Sequence, residues 1–118
     1  MALLDLRQLE TFTIIGYDEY LELYADLLQE VPLQLEQIRA AIQQDDTLER
    51  KNIAHALRGI LAYFGCAAMS ARLAELEVPA TVTPPDQATA IHTELLALWE
   101  TSLAAIQHWE KSVPGFAP

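Results

Sequence analysis

The sequence has a single cysteine, Cys66. No disulfide can close within the chain, and a reducing compartment fits. Positive charge is scarce: seven Lys and Arg stand against seventeen Asp and Glu, a net charge of −10. That balance argues against nucleic acid or an anionic membrane surface as the main partner, and it keeps a small protein in solution. No apolar run approaches the ~20 residues needed to span a bilayer. The start, Met1-Ala2-Leu3-Leu4, runs into Asp5 and Arg7 and carries no secretory signal pattern. Phosphate-cradling glycine loops, Ser-x-x-Lys pairs and nucleophile elbows are missing. So are repeats, low-complexity tracts and linkers, and residues 1–118 read as a single domain.

What is present is helical periodicity. Residues 3–13 form a short apolar segment in which Leu6, Leu9 and Phe12 or Thr13 can share a face. Gly16 ends it, and Asp18 is the expected N-cap of the next helix. Residues 19–44 repeat Leu21, Tyr24, Leu28, Val31, Leu35, Ile38 and Ile42 at steps of three or four. Pro32 lies inside this pattern, which predicts one kinked helix rather than two. Gln44 to Thr47 is a turn. Asp46 with Glu49 gives a start resembling a capping box, with Thr47 as the alternative N-cap. The helix that follows should reach Phe64 and end at Gly65. A shorter helix over 66–77 turns Met69, Leu73 and Leu76 inward. Val78 to Pro85 cannot continue a helix and is the expected site of mobility. Thr83 and Pro84 suit N-cap and N1 positions of a last helix that runs to about Lys111. Its inner stripe is Ile91, Leu95, Leu98, Ser102, Ile106 and Trp109. The tail 113–118 should fray. The fold class expected is all-α: an up-and-down antiparallel four-helix bundle with a short N-terminal capping helix.

The stretch from Lys51 to Gly65 carries the chemistry. At ~100° per residue, Ile53, Leu57, Ile60, Leu61 and Phe64 fall within about 100° of one another. His55 lies about 200° round from Ile53, with Lys51, Arg58, Gly59 and Ala62 on its side. This histidine therefore faces water, either as a plain surface residue or as a functional one. Gly59, one turn on, costs roughly 1 kcal/mol relative to alanine in a helix interior, and close approach of another molecule would explain it.

His55, Leu57, Arg58 and Gly59, then Ala62, Phe64 and Gly65, with Leu73 and Leu76-Glu77 downstream, resemble the histidine phosphotransfer (HPt) domain family. That family's motif is a histidine, a leucine two residues on, a lysine or arginine at three, and glycines at four and ten. The chain matches each position, and the resemblance covers nearly all of it. Where the family commonly has small polar residues after the first glycine, Ile60 and Leu61 stand here, on the buried arc. The resemblance implies that His55 is a phosphoacceptor, taking a phosphoryl group from one receiver domain's aspartyl phosphate and passing it to another. Arg58 and Lys51 would form the phosphate environment; Gly59 and Ala62 would form the docking face. It further implies no cofactor of the chain's own, with Mg²⁺ on the partner receiver. The partners would be response-regulator receivers and a hybrid sensor kinase, in the cytoplasm, with the chain as a free-standing monomer and a phosphorelay intermediate rather than an enzyme.

A zinc site fails on spacing, because none of His55, His92 and His108 has a Cys or His three or four residues away. His92 and His108 are expected on the surface, and Met69 in the core. Cys66 has no Cys or His partner nearby and is not expected to be a catalytic thiol. Two function classes remain, a phosphocarrier and a non-catalytic adaptor of the same fold that binds a receiver or kinase without moving phosphate.

Overall fold

The computed structural model describes residues 2–116, and these are all-helical. The helices are α1 (Leu6–Glu10), α2 (Phe12–Ile15), α3 (Tyr17–Gln43), α4 (Thr47–Tyr63), α5 (Ala67–Ala74) and α6 (Pro85–Ser112). Helix α3 packs on α4 and α6, and α5 packs on the same two, so the four close a cycle around one core. Among the described residues, no helix is long and apolar enough to cross a membrane.

The N-terminal segment differs from the single helix expected over 3–13. Asp5 caps α1 by accepting from the Arg7 amide at 3.1 Å. Thr11 then turns its hydroxyl back onto the Gln8 carbonyl at 2.6 Å and separates α1 from α2. The break leaves Leu9 and Phe12 buried but Leu6 and Thr13 exposed. The N-cap of α3 is Gly16, at φ +109°, and not Asp18. The positive φ reverses the chain early, so Asp18 sits in the first turn, where a carboxylate favours the helix dipole.

Helix α3 passes through Pro32 unbroken. Leu28, whose carbonyl loses its usual donor there, is partly exposed, so water can serve it. The buried stripe is Tyr20, Leu27, Val31, Leu35, Ile38 and Ala41. Leu21 and Leu28, expected to point inward, are each 40 % exposed. Aromatic packing sets this phase: Tyr20 meets Phe12 at 5.2 Å, Phe64 at 6.0 Å and Trp109 at 6.0 Å. Its hydroxyl donates to Glu110 at 2.8 Å. Burial first, then this hydrogen bond, pushes the phenol well above its ordinary range.

Asp46 caps α4 by accepting from the Glu49 amide at 3.1 Å. The helix ends in a Schellman motif, with Cys66 N–H on the Leu61 carbonyl at 3.2 Å and Gly65 N–H on Ala62 at 3.1 Å. Gly65, at φ +65°, is the left-handed residue this ending needs. Its carbonyl also accepts from the Asp5 amide at 2.7 Å, tying the N-terminal segment to α4.

Two boundaries shift at the C-terminal side, the first being α5, which closes at Ala74 rather than at 77. The N-cap of α6 is Pro84 with Pro85 at N1, one residue later than expected, because Thr83 is buried with its carbonyl engaged by Arg50. The stretch Val78 to Pro85, where mobility is expected, is bonded to that arginine at Val78 as well. The tail, expected to fray, packs on the core at its last described residue. Phe116 packs edge-on against Tyr20 at 5.0 Å and Trp109 at 5.3 Å; Ala117 and Pro118 lie outside the described residues.

Gly65 makes a direct test of this architecture. A Cβ there would stand 2.4 Å from the Asp5 carbonyl oxygen, on a backbone conformation that L side chains rarely adopt. Gly65→Ala should lower stability by about 1–3 kcal/mol, read as a clear fall in melting temperature. An unchanged melt would mean the Asp5–Gly65 contact carries no stability.

Candidate functional site

The site is built on the outer face of α4. The inner face packs Ile53, Ala54, Leu57 and Leu61 into the core, which leaves His55, Gly59 and Ala62 on the solvent side. The His55 side chain is 79 % exposed. Nothing lies within 4 Å of where a Gly59 Cβ would be, so no neighbouring helix requires a glycine there. Gly59 and Ala62 border an open hollow of about 320 Å³ with Gln8 and Tyr63. Lys51 is exposed and borders a second cleft of about 240 Å³, shared with Thr47, Leu48, Glu77, Val78 and Pro79. The structure thus places all five residues singled out on α4 on its outer side, with Arg58 half-buried at its edge.

Glu77 joins them from beyond the end of α5. Its Oε1 lies 2.7 Å from His55 Nδ1, and its Oε2 accepts from Arg58 Nη1. The Glu77 side chain is only 14 % exposed. Burial by itself would raise its pKa; the hydrogen bonds from Arg58 and His55 outweigh that and hold it below the ordinary 4.5. An ionised carboxylate only accepts, so Nδ1 must carry the proton it shares with Glu77. Nε2 is then the ring nitrogen with the lone pair. One carboxylate therefore sets the tautomer and orientation of His55 and also holds Arg58 beside it.

Glu77, part of the family resemblance, is not placed at the site by any local spacing. It is 22 residues beyond His55, and no helical spacing connects them. Arg50 was missed, although it left a signal. At about 60° from Ile53 it falls inside the apolar arc, an odd place for a cation. The structure buries it to 2 % exposure. Its guanidinium donates to the carbonyls of Leu76 at 3.1 Å, Val78 at 2.8 Å and Thr83 at 3.2 Å. Burial lowers its pKa from the ordinary arginine value, against a smaller opposing pull from Asp45.

The other candidates separate clearly. His92, expected on the surface, is buried at the α3–α6 seam with Nε2 2.9 Å from the Leu35 carbonyl. It neighbours Ile91 on the inner stripe, and a carbonyl within reach lets its ring be buried with a partner. His108 is exposed. The Cys66 thiol is buried, and burial pushes its pKa up to about 12, which leaves no thiolate to react. Among the described residues, no group of three or more His, Cys, Asp or Glu could hold a metal ion.

A family model described as Hpt domain matches residues 22–109, which take in most of α3, all of α4 and α5, and most of α6. Searches of curated proteins and of solved structures return no match.

The Glu77 contacts imply a pH dependence. Because the folded pKa is lowered, the stabilisation from Glu77 is complete above the ordinary 4.5 and is lost as pH falls through the lower folded value. Glu77→Gln should melt below the parent at pH 7, with the gap narrowing as the pH falls below the ordinary 4.5 and through the lower folded value. A gap of constant size across that range would show that the carboxylate charge contributes nothing.

Proposed function

We propose, for a chain that belongs to the Hpt domain family, that His55 is the phosphoacceptor of a multistep phosphorelay. Hpt domains are phosphocarrier modules that work with receiver-type partners. The observation that carries the residue assignment is the exposed His55 ring, with Nδ1 held by Glu77 and Nε2 left to solvent. The reading includes an up-and-down antiparallel arrangement of α3 to α6, acting as one domain.

The proposed step needs little from this chain beyond a positioned nucleophile. The Nε2 lone pair attacks the phosphorus of an aspartyl phosphate on a receiver. The N–P bond forms as the P–O bond to the aspartate breaks, and the aspartate leaves as a carboxylate with that electron pair. Positive charge grows on the imidazole, and Glu77 at 2.7 Å from Nδ1 offsets it. The Nδ1 proton stays in place, so no general base is required. Arg58 and Lys51 offset the phosphate charge. Transfer onward reverses these bonds at a second receiver. Mg²⁺ belongs to the receiver and supplies charge neutralisation there. Gly59 and Ala62, with no side chain projecting far from the helix, form the docking face. A hybrid sensor kinase would stand upstream, and the chain would act in the cytoplasm as a monomer.

The rival reading is an adaptor that binds a receiver without transfer. The His55–Glu77–Arg58 arrangement favours the carrier, since an adaptor has no need of a fixed imidazole tautomer. Incubation with a phosphorylated receiver should leave acid-labile, alkali-stable label on the chain and none on His55→Gln. Label persisting on His55→Gln would overturn the assignment, and none on the parent would favour the adaptor. His55→Gln should still fold, melting below the parent by no more than about 1 kcal/mol, because the glutamine amide and Arg58 can both still donate to Glu77.

Docking is tested separately at Gly59. With open space around it, Gly59→Ala should stabilise α4 by up to roughly 1 kcal/mol. Gly59→Gln should fold yet obstruct the receiver's approach to His55 and slow transfer. Parental transfer rates for both variants would remove the docking role.

A further inference from the structure

We infer that Arg50 is a positioning residue of the His55 site, fixing the backbone on either side of Glu77 so that its carboxylate meets the ring. The inference rests on His55 being the phosphoacceptor. Glu77 lies past the last residue of α5, where only single turns continue the helix, Leu76 N–H on the Leu73 carbonyl at 2.9 Å and Glu77 N–H on the Ala74 carbonyl at 3.2 Å. Arg50 adds a hold from α4 on both neighbours: the carbonyl of Leu76 accepts from Arg50 Nε at 3.1 Å and that of Val78 from Nη2 at 2.8 Å. A third bond, Nη1 to the Thr83 carbonyl at 3.2 Å, closes the loop further on.

The arrangement is costly if its purpose is only to close a loop. Arg50 is 2 % exposed, and its guanidinium's hydrogen-bond acceptors are backbone carbonyls rather than a carboxylate. An apolar side chain on that arc of α4 would extend the stripe of Ile53, Leu57 and Leu61 without desolvating a charge. The guanidinium instead gives a geometric reference. Arg50 and His55 stand on the same helix, about 140° apart around its axis. The segment 76–78 wraps from one to the other, so a path of hydrogen bonds leaves α4 at Arg50 and returns to it at His55. The position of Glu77 relative to the imidazole is thereby referred to α4 itself, in addition to its turn bonds to the end of α5.

The test uses the full chain with Arg50→Lys and Arg50→Gln, the lysine variant retaining charge and at least one donor. Three properties are read: the melting temperature, the His55 tautomer by ¹⁵N NMR of the ring, and the rate of transfer from a receiver charged with acetyl phosphate. In a folded Arg50→Lys chain, the tautomer population should move toward the mixture of a free imidazole, and transfer should slow by up to about 100-fold. Glu77→Gln should produce the same two changes, and adding Arg50→Lys to it should produce no further change in either. A variant that melts lower yet keeps the parental tautomer and rate would confine Arg50 to holding the fold and overturn the inference. Additive effects in the double variant would overturn it too. The tautomer needs no phosphate, so it separates the two proposals. A tautomer that responds to Arg50 in a chain whose parent takes no label upholds the coupling and removes the phosphotransfer reading.

Discussion

A buried guanidinium bonded to three carbonyls is the constraint on which the functional half of this structure depends. The segment between α5 and α6 has the composition of a free loop, with Pro79 and Pro84 among its residues. Its own backbone bonds are single turns, such as Glu77 N–H on the Ala74 carbonyl at 3.2 Å, and leave the chain beyond Glu77 few ties to the rest of the fold. Arg50 supplies ties from inside the core, where water does not compete for its donors. The desolvation of one cation is offset by three hydrogen bonds and by the ordering of a site that faces the opposite side of the same helix.

Helix α4 thus divides three ways. Its apolar arc packs the core, Arg50 on that arc sets the neighbouring loop, and the solvent face presents His55. The division explains why the exposed residues can be small and sparsely packed without loss of order. Gly59 has open space around it, yet the helix is fixed by Leu57 and Leu61 below, by Asp46 at its start and by the Schellman ending at Gly65. Glu77 adds electrostatic order to this face. It joins His55 and Arg58 across the gap between α4 and the chain beyond α5, so the proposed nucleophile and the proposed phosphate-neutralising cation share one anion.

The opposite end of the core is organised by aromatic contact. Phe12, Tyr20, Phe64, Trp109 and Phe116 bring together α2, α3, the end of α4, α6 and the tail. This cluster accounts for the departures from simple periodicity. Tyr20 and Leu27 displace Leu21 and Leu28 from the inner face of α3, because an aromatic side chain buries more area and can reach Glu110 with its hydroxyl. Phe116 likewise finds a slot against Tyr20 and Trp109 that a terminal residue's position in the sequence does not reveal.

Helical spacing by itself determined that α4 has a dry side and a wet side, and that His55, Lys51, Gly59 and Ala62 belong to the wet one. It could do so because residues three and four apart are neighbours on a helix whatever surrounds it. The caps at Asp46 and Gly65 were legible for the same reason, since each acts within a turn of itself. Tertiary structure decided what sequence distance hides. Glu77 is far along the chain from His55, and Arg50 meets acceptors that fold back onto it from beyond α5. A cation on an apolar arc shows in the sequence as an anomaly, but its partners are backbone carbonyls, which every residue carries and no residue type announces. Burial of His92 rests on the same kind of partner, the carbonyl of Leu35. Side-chain identity sets which face is buried; where a buried donor finds its acceptor depends on how the helices and the loop between them come together.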